Sequence, residues 1–325
     1  MDYLSLMKHP IEKELERYST LFCQSLSEDD GLLGKALEHI RNREGKGMRP
    51  ILINLIAKSF GPVSDVTTNA AVGLELLHTA SLVHDDVVDE SMERRGQPSV
   101  NSVFDSKIAV LVGDYLLSSA LYYVSLTRNN EITEYFSEIG RILASGEILQ
   151  LSNINCQEIS EDTYYKVITQ KTATLFEACA AIGSMSVGAP ADEVIKAKEF
   201  GKNIGIIFQI RDDIFDYFDS DVIGKPTGND MIEGKLTLPV IFALNSTNSK
   251  SMRRLAMKVK ERTITSNEIS QLIEFTKNNG GIEYAEAKMD FYAFLCESYI
   301  SQSIKDNEIK KALNYYLEFV IKRES

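Results

Sequence analysis

The chain has no tryptophan, only 7 prolines and only 4 cysteines in 325 residues. Scarce proline leaves long stretches without a helix breaker. Cys23, Cys156, Cys179 and Cys296 show no CxxC spacing. They read as free thiols in a reducing compartment rather than as a zinc or redox centre. There is no apolar run of about 18 residues and no N-terminal leader pattern. The sequence therefore reads as cytoplasmic, without a transmembrane segment, and leaves contact with a membrane surface open. Positive charge is also short. There are 35 Lys and Arg against 47 Asp and Glu, a formal net charge of −12. A nucleic-acid binder needs the opposite balance. Any anionic ligand must be held by local cations or by metal, against the overall field.

What is present is helical. Hydrophobic residues make up 44% and charged residues 25%, the balance of a globular chain. Apolar residues recur at helical spacing over about 11–26, 66–90, 105–127, 131–151, 161–187, 191–218 and four later stretches from 250 to 323. No alternation of the kind a sheet needs is visible, and no Pro-, Gly- or Ser-rich linker divides the chain. The expectation is an all-α fold, a single large helical bundle forming one domain over 1–325.

Two stretches stand out. Leu82-Val83-His84-Asp85-Asp86-Val87-Val88-Asp89 sets three carboxylates in an apolar run. On a helix Asp85 and Asp89 share a face, and Asp86 can lean toward the same pocket. Like charges at this spacing destabilise a bare helix, and burying them costs more, so something cationic must offset them. The same DDxxD spacing returns at Asp212, Asp213 and Asp216, again among apolar residues. Carboxylates without nitrogen or sulfur ligands suit a hard divalent ion, Mg²⁺ above all. Two such motifs could hold several ions against a very acidic ligand such as a diphosphate.

Basic residues cluster nearby in sequence. Lys46 and Arg49 flank the turn Gly45-Lys46-Gly47 near a helix start, a candidate anion site that is not a P-loop. His78 lies two helical turns before Asp85 on the same face and could donate to phosphate. Arg94 and Arg95 follow the first motif, and each could take a different phosphate group. Lys171 sits in a mostly apolar helix.

With these motifs placed, the chain resembles the trans-prenyltransferases, the all-trans polyprenyl diphosphate synthases. The resemblance runs from about Gly45 to Pro239. It rests on GKxxRP at Gly45–Pro50, LLHTASLVHDDVVD at Leu76–Asp89, RRGxP at Arg94–Pro98 and GDYL at Gly113–Leu116. It continues through KTA at Lys171–Ala173, FQIRDDIFD at Phe208–Asp216, GKPTGND at Gly224–Asp230 and GKLTLP at Gly234–Pro239. The resemblance implies an isoprenoid-synthase bundle with a central cavity and three Mg²⁺ held by Asp85, Asp86, Asp89, Asp212, Asp213 and Asp216. Those ions grip the diphosphate of the allylic substrate. Arg94, Lys171, Thr172, Gln209, Lys225 and Lys235 complete that site, and Lys46, Arg49, His78 and Arg95 bind the diphosphate of isopentenyl diphosphate. A homodimer is also implied.

The growing tail is expected to run along the helix that carries Asp85. Ala80 and Ser81, one turn before that motif, then form its first floor, with Leu77 deeper. An aromatic there would stop the tail early; a small pair leaves it open. One isoprene unit of ~4–5 Å matches one helical turn of ~5.4 Å. The expected product is C30 to C50, a quinone side-chain precursor, grown on farnesyl or geranylgeranyl diphosphate. The alternatives are a C20 synthase, a terpene cyclase, a catalytically silent regulatory subunit and a purely structural bundle. A second DDxxD and the isopentenyl-binding set argue against a cyclase. Six intact aspartates argue against a silent subunit.

Overall fold

The computed structural model describes residues 2–27, 31–42, 45–94, 96–154, 156, 158–218 and 227–323. Lys225 and Arg95 lie outside the described residues. The elements begin with helices α1 (Tyr3–Lys8), α2 (Glu12–Ser25), α3 (Gly31–Arg41), α4 (Met48–Phe60) and α5 (Asp65–Val88). A two-stranded antiparallel hairpin follows, β1 (Glu93–Arg94) with β2 (Gln97–Pro98). Next come α6 (Val100–Phe104), α7 (Ser106–Leu126), α8 (Asn130–Ile154) and α9 (Glu161–Ile168). A π-helical turn (Thr169–Ala173) joins α9 to α10 (Thr174–Met185), which is followed by α11 (Ala191–Phe215) and α12 (Asn229–Ile232). The last are α13 (Leu238–Thr247), α14 (Lys250–Lys260), α15 (Ser266–Asn278), α16 (Gly281–Ser303) and α17 (Asn307–Lys322).

Local chemistry sets these boundaries. Gly47 takes a left-handed φ of 65° and frees the chain to enter α4, with Pro50 in its first turn. The Ser64 hydroxyl caps α5 by accepting from the Val66 amide at 3.3 Å. Asp105 caps α7, accepting from the amides of Lys107 and Ile108 at 2.8 and 3.1 Å. Thr265 and Glu268 form a reciprocal capping box on α15. The hairpin is the one strand pairing among the described residues and leaves the all-α class as expected. Its strands are two residues each, too short for any alternation to show, and Gly96 makes the reversal with φ 73°.

The chain forms two compact units. The first comprises Met1–Gly140, Leu175–Gly201 and Gln302–Tyr316. Within it α5 lies along α7. A Cβ on Gly73 would come within 2.6 Å of Val124 Cγ2, and one on Gly113 within 2.2 Å of the His84 ring. Ala80 and Leu77 are buried on the stripe that joins Gly73 to His84. Arg49 on α4 sets its guanidinium over the Phe176 ring of α10 at 5.1 Å. The four cysteines are free.

The second unit comprises Arg141–Thr174, Lys202–Ser301 and Leu317–Ser325. Its polar interior is tied by Lys260, whose ammonium donates to the carbonyls of Asn153, Cys156 and Glu158 at 2.8–3.0 Å. This ties Asn153, Cys156 and Glu158 to α14.

Helix α7 is long and apolar enough, by length and composition alone, to cross a membrane, although only a third of its most apolar window is buried. The sequence reading found no such run. Charged Lys107 and Asp114 interrupt it, but the average over the helix still reaches the range.

Close helix contacts give a direct test. A Cβ on Gly201 would lie 2.4 Å from the Phe176 carbonyl oxygen, a backbone atom that cannot swing away. Gly140 is also helical but has nothing within 4 Å of its added Cβ. Gly201→Ala is expected to lose about 1–3 kcal/mol of stability. Gly140→Ala should gain about 0.5–1 kcal/mol. Urea unfolding midpoints measure both, and equal shifts would refute the packing account.

Candidate active site

The first aspartate motif closes α5. Asp86 is fully buried, and its Oδ1 accepts from Arg94 Nε at 2.6 Å. The hairpin thus returns Arg94 to a buried carboxylate and sets a cation against its charge. Further hydrogen bonds hold the turn. The Asp86 carbonyl accepts from the Ser91 amide at 2.9 Å and from Asn101 Nδ2 at 3.3 Å. Asp85 and Asp89 are half-buried on the neighbouring face. His78 is buried two turns earlier. Ser81 is half-buried one turn before Asp85, and its hydroxyl donates to the His78 carbonyl at 2.8 Å. Ser81 thus stands nearer the carboxylate face than Ala80, whose stripe meets α7.

Lys46 is exposed, while Arg49 is half-buried. Arg49 Nε is itself buried, and among the described residues no acceptor meets it. A buried guanidinium N–H without an acceptor suits an anionic ligand.

In the second unit the second motif closes α11, and its three aspartates are treated differently. Asp213 is 2% exposed. Its Oδ2 accepts from the Tyr164 hydroxyl at 2.6 Å and its Oδ1 from Gln209 Nε2 at 2.8 Å. Gln209 Oε1 in turn accepts from the Thr172 hydroxyl at 2.7 Å. A continuous chain thus runs Thr172–Gln209–Asp213–Tyr164. Asp212 is 58% exposed and receives Arg323 Nη2 at 3.1 Å. Asp216 accepts the amides of Asn229 and Asp230, at 2.8 and 3.1 Å, on its two oxygens. It therefore caps α12 as well as completing the motif.

Burial pushes the Asp213 carboxyl up to about 7; the bonds from Tyr164 and Gln209 oppose the shift, and the charges of Asp212 and Asp216 add to it. Asp230 is raised as well, by burial first and then by Asp213 and Asp216, with Lys235 opposing. Burial and the mutual repulsion of these carboxylates thus both favour their protonated forms. Lys171 places its ammonium 2.5 Å from Glu147 Oε2, and Lys235 its own 2.5 Å from Glu233 Oε2.

Sequence reasoning passed over Tyr164, Glu147, Asp230 and Arg323. Asp230 sat inside a quoted motif without a role. Tyr164 lies seven residues before Lys171, two helical turns, a spacing that could have flagged it.

Residues 30–276 match the polyprenyl synthetase family. The chain belongs to that family. It is accordingly a prenyltransferase with the all-α isoprenoid-synthase fold. It is 37% identical to the octaprenyl diphosphate synthase of Escherichia coli strain K12 over 223 residues, 68% of this chain and 69% of that one. Among solved structures, the geranylgeranyl pyrophosphate synthase from Bacteroides thetaiotaomicron superposes with a TM-score of 0.88 at 48% identity. That match covers 99% of this chain and 100% of the other. A polyprenyl synthase from Caulobacter crescentus CB15, complexed with calcium and isoprenyl diphosphate, gives 0.91 at 27% identity, covering 99% and 98%.

Among the described residues, no three His, Cys, Asp or Glu side chains converge to hold a metal ion unaided. The donor set still fits Mg²⁺. In phosphate sites this ion takes one or two carboxylates, completes its shell with phosphate oxygens and water, and needs no closed protein cage. The repulsion that Asp212 and Asp216 exert on the buried Asp213 carboxyl is a feature such an ion would relieve.

Tyr164→Phe should cost about 1–3 kcal/mol by leaving a buried carboxylate oxygen without its donor. An unchanged unfolding midpoint would show that Asp213 does not depend on Tyr164.

Proposed function

We propose that this protein condenses isopentenyl diphosphate head-to-tail with an allylic diphosphate, farnesyl or geranylgeranyl. The product is a long-chain all-trans polyprenyl diphosphate of C30 to C50, a quinone side-chain precursor, and diphosphate is released. The observation that carries this reading is the second-motif network. A buried, locked aspartate is linked through Gln209 to Thr172, directly beside Lys171, within a family of prenyl synthases.

The residues divide the work. Asp85, Asp86 and Asp89, and Asp212, Asp213 and Asp216, would supply oxygen ligands to three Mg²⁺. When bound, these ions stabilise the charge that builds on the departing diphosphate as the allylic carbon–oxygen bond breaks. Arg94, Lys171, Lys225 and Lys235 add fixed positive charge to the same diphosphate. Thr172 and Gln209 direct oxygen lone pairs toward the allylic cation. Lys46, Arg49, His78 and Arg95 hold the second diphosphate so that its double bond meets that cation. The released diphosphate, left beside the new cation, accepts the proton. Water must be kept out, or it would capture the cation.

The small side chain of Ser81, one turn before Asp85, supports a long product, while Ala80 lies on the stripe that meets α7. A second reading, a C20 product, is favoured by the 48% identity to a protein called a geranylgeranyl pyrophosphate synthase. A homodimer is supported by apolar side chains exposed on α7, among them Leu111, Leu121, Tyr122 and Leu126. We take the chain to act as one cytoplasmic catalytic domain.

The deciding assay supplies purified protein with Mg²⁺, labelled isopentenyl diphosphate and farnesyl diphosphate, with an EDTA control, and reads product length by chromatography. A Mg²⁺-dependent product of C30 or longer is expected. A product ending at C20 selects the second reading, and no condensation with any primer would leave a regulatory subunit. Asp85→Ala and Asp212→Ala should each nearly abolish turnover with the fold retained; near-normal activity in either refutes the metal assignment. Ser81→Phe should shorten the product, and an unchanged length would mean that the tail runs elsewhere.

A further inference from the structure

Lys171 and Thr172 do not sit on an ordinary helix. They lie in the π-helical turn Thr169–Ala173, closed by a bond from the Thr174 amide to the Thr169 carbonyl, with the Thr174 hydroxyl on the same oxygen at 2.9 Å. Such a turn widens the helix and is retained where something depends on it.

Two glycines press on this turn. A Cβ on Gly146 of α8 would lie 2.8 Å from Gln170 Cβ and 3.2 Å from the Lys171 amide nitrogen. A Cβ on Gly205 of α11 would lie 2.4 Å from Ala173 Cα. Each glycine is coupled to a polar side chain that takes one residue of the turn. Glu147, next to Gly146, holds the Lys171 ammonium. Gln209, one helical turn after Gly205, accepts from the Thr172 hydroxyl. Close backbone approach and side-chain capture thus occur together on both flanks. Packing alone would explain the glycines but not the matched acceptors.

We propose that Glu147 is a positioning residue for Lys171, and that Gly146 and Gly205 set the register in which the turn presents Lys171 and Thr172 to the allylic diphosphate. This rests on the function proposed above. An ammonium has three donors. Glu147 accepts from it and restricts the four-carbon stem, so the ammonium is held in a fixed place. The side chain is then ordered before the substrate arrives, which lowers the entropy lost on binding.

The test uses Glu147→Gln, which keeps the shape and removes the charge, and Gly205→Ala, which pushes the turn. Gly140→Ala is the control. Steady-state kinetics would separate the two substrates, and calorimetry with farnesyl thiodiphosphate and Mg²⁺ would read binding without turnover. In both test variants the KM for the allylic substrate and the thiodiphosphate Kd should rise about tenfold, the size of one weakened charge-assisted contact. The KM for isopentenyl diphosphate should stay within about twofold, since that substrate does not use Lys171. Loss of active fraction alone, a lower kcat with both KM values unchanged, would reduce the glycines to packing and overturn the proposal. If Gly205→Ala does not fold, Glu147→Gln decides alone. Unchanged or tighter allylic binding in Glu147→Gln would show that Glu147 competes with the substrate or is idle, and would also overturn it. Condensation by the unmodified protein separates these failures from a failure of the functional reading, which would remove this inference with it.

Discussion

A carboxylate can be buried in an apolar helix only if donors or cations meet it. Most of the unusual local structure described above follows from that requirement at Asp86 and Asp213. At Asp86 the cation is Arg94, and the chain forms a two-residue hairpin to bring it back. At Asp213 the donors are Tyr164 and Gln209, and a second chain of bonds extends to Thr172. Neither arrangement is the cheapest way to build a helical bundle. Apolar residues of similar volume would pack with less desolvation.

The aspartates within a motif are not equivalent. Asp213 has both oxygens taken and little freedom to move. Asp212, one residue earlier, points about 100° away on the helix and is largely in solvent. Its present partner is Arg323, whose guanidinium also stacks on Phe208 at 3.6 Å. An exposed carboxylate bound to a single arginine can exchange that cation for a metal at low cost. A buried one held by two donors has its oxygens fixed in direction. Asp216 takes a third role by capping α12 through the amides of Asn229 and Asp230.

The helices were legible because amphipathic periodicity and capping chemistry are local. The boundaries of α5, α7, α11, α15 and α16 fall within a few residues of those expected from spacing. Reading 161–187 as one helix missed the π turn. That turn meets two other helices at close range, at Gly146 and Gly205, which are distant in sequence and so invisible to local spacing. The site was legible to the extent that charged residues stood out against apolar surroundings. Tyr164 and Glu147 did not, because a tyrosine in an aromatic-rich helix and a glutamate in an amphipathic one look ordinary until their partners are known.

Lys171 shows why these unremarkable partners matter. A lysine is a flexible point charge with considerable rotamer entropy. For a reaction whose barrier falls when charge is stabilised on the leaving group, a cation that must first be ordered contributes less than one already aimed. A straight α-helix would aim Lys171 and Thr172 along directions fixed by its 3.6-residue repeat. The extra residue in the π turn changes that relation. It lets the ammonium reach Glu147 on α8 while the neighbouring hydroxyl reaches Gln209 on α11. Two adjacent side chains are thereby held by two different helices, and the direction of each is set independently of the other.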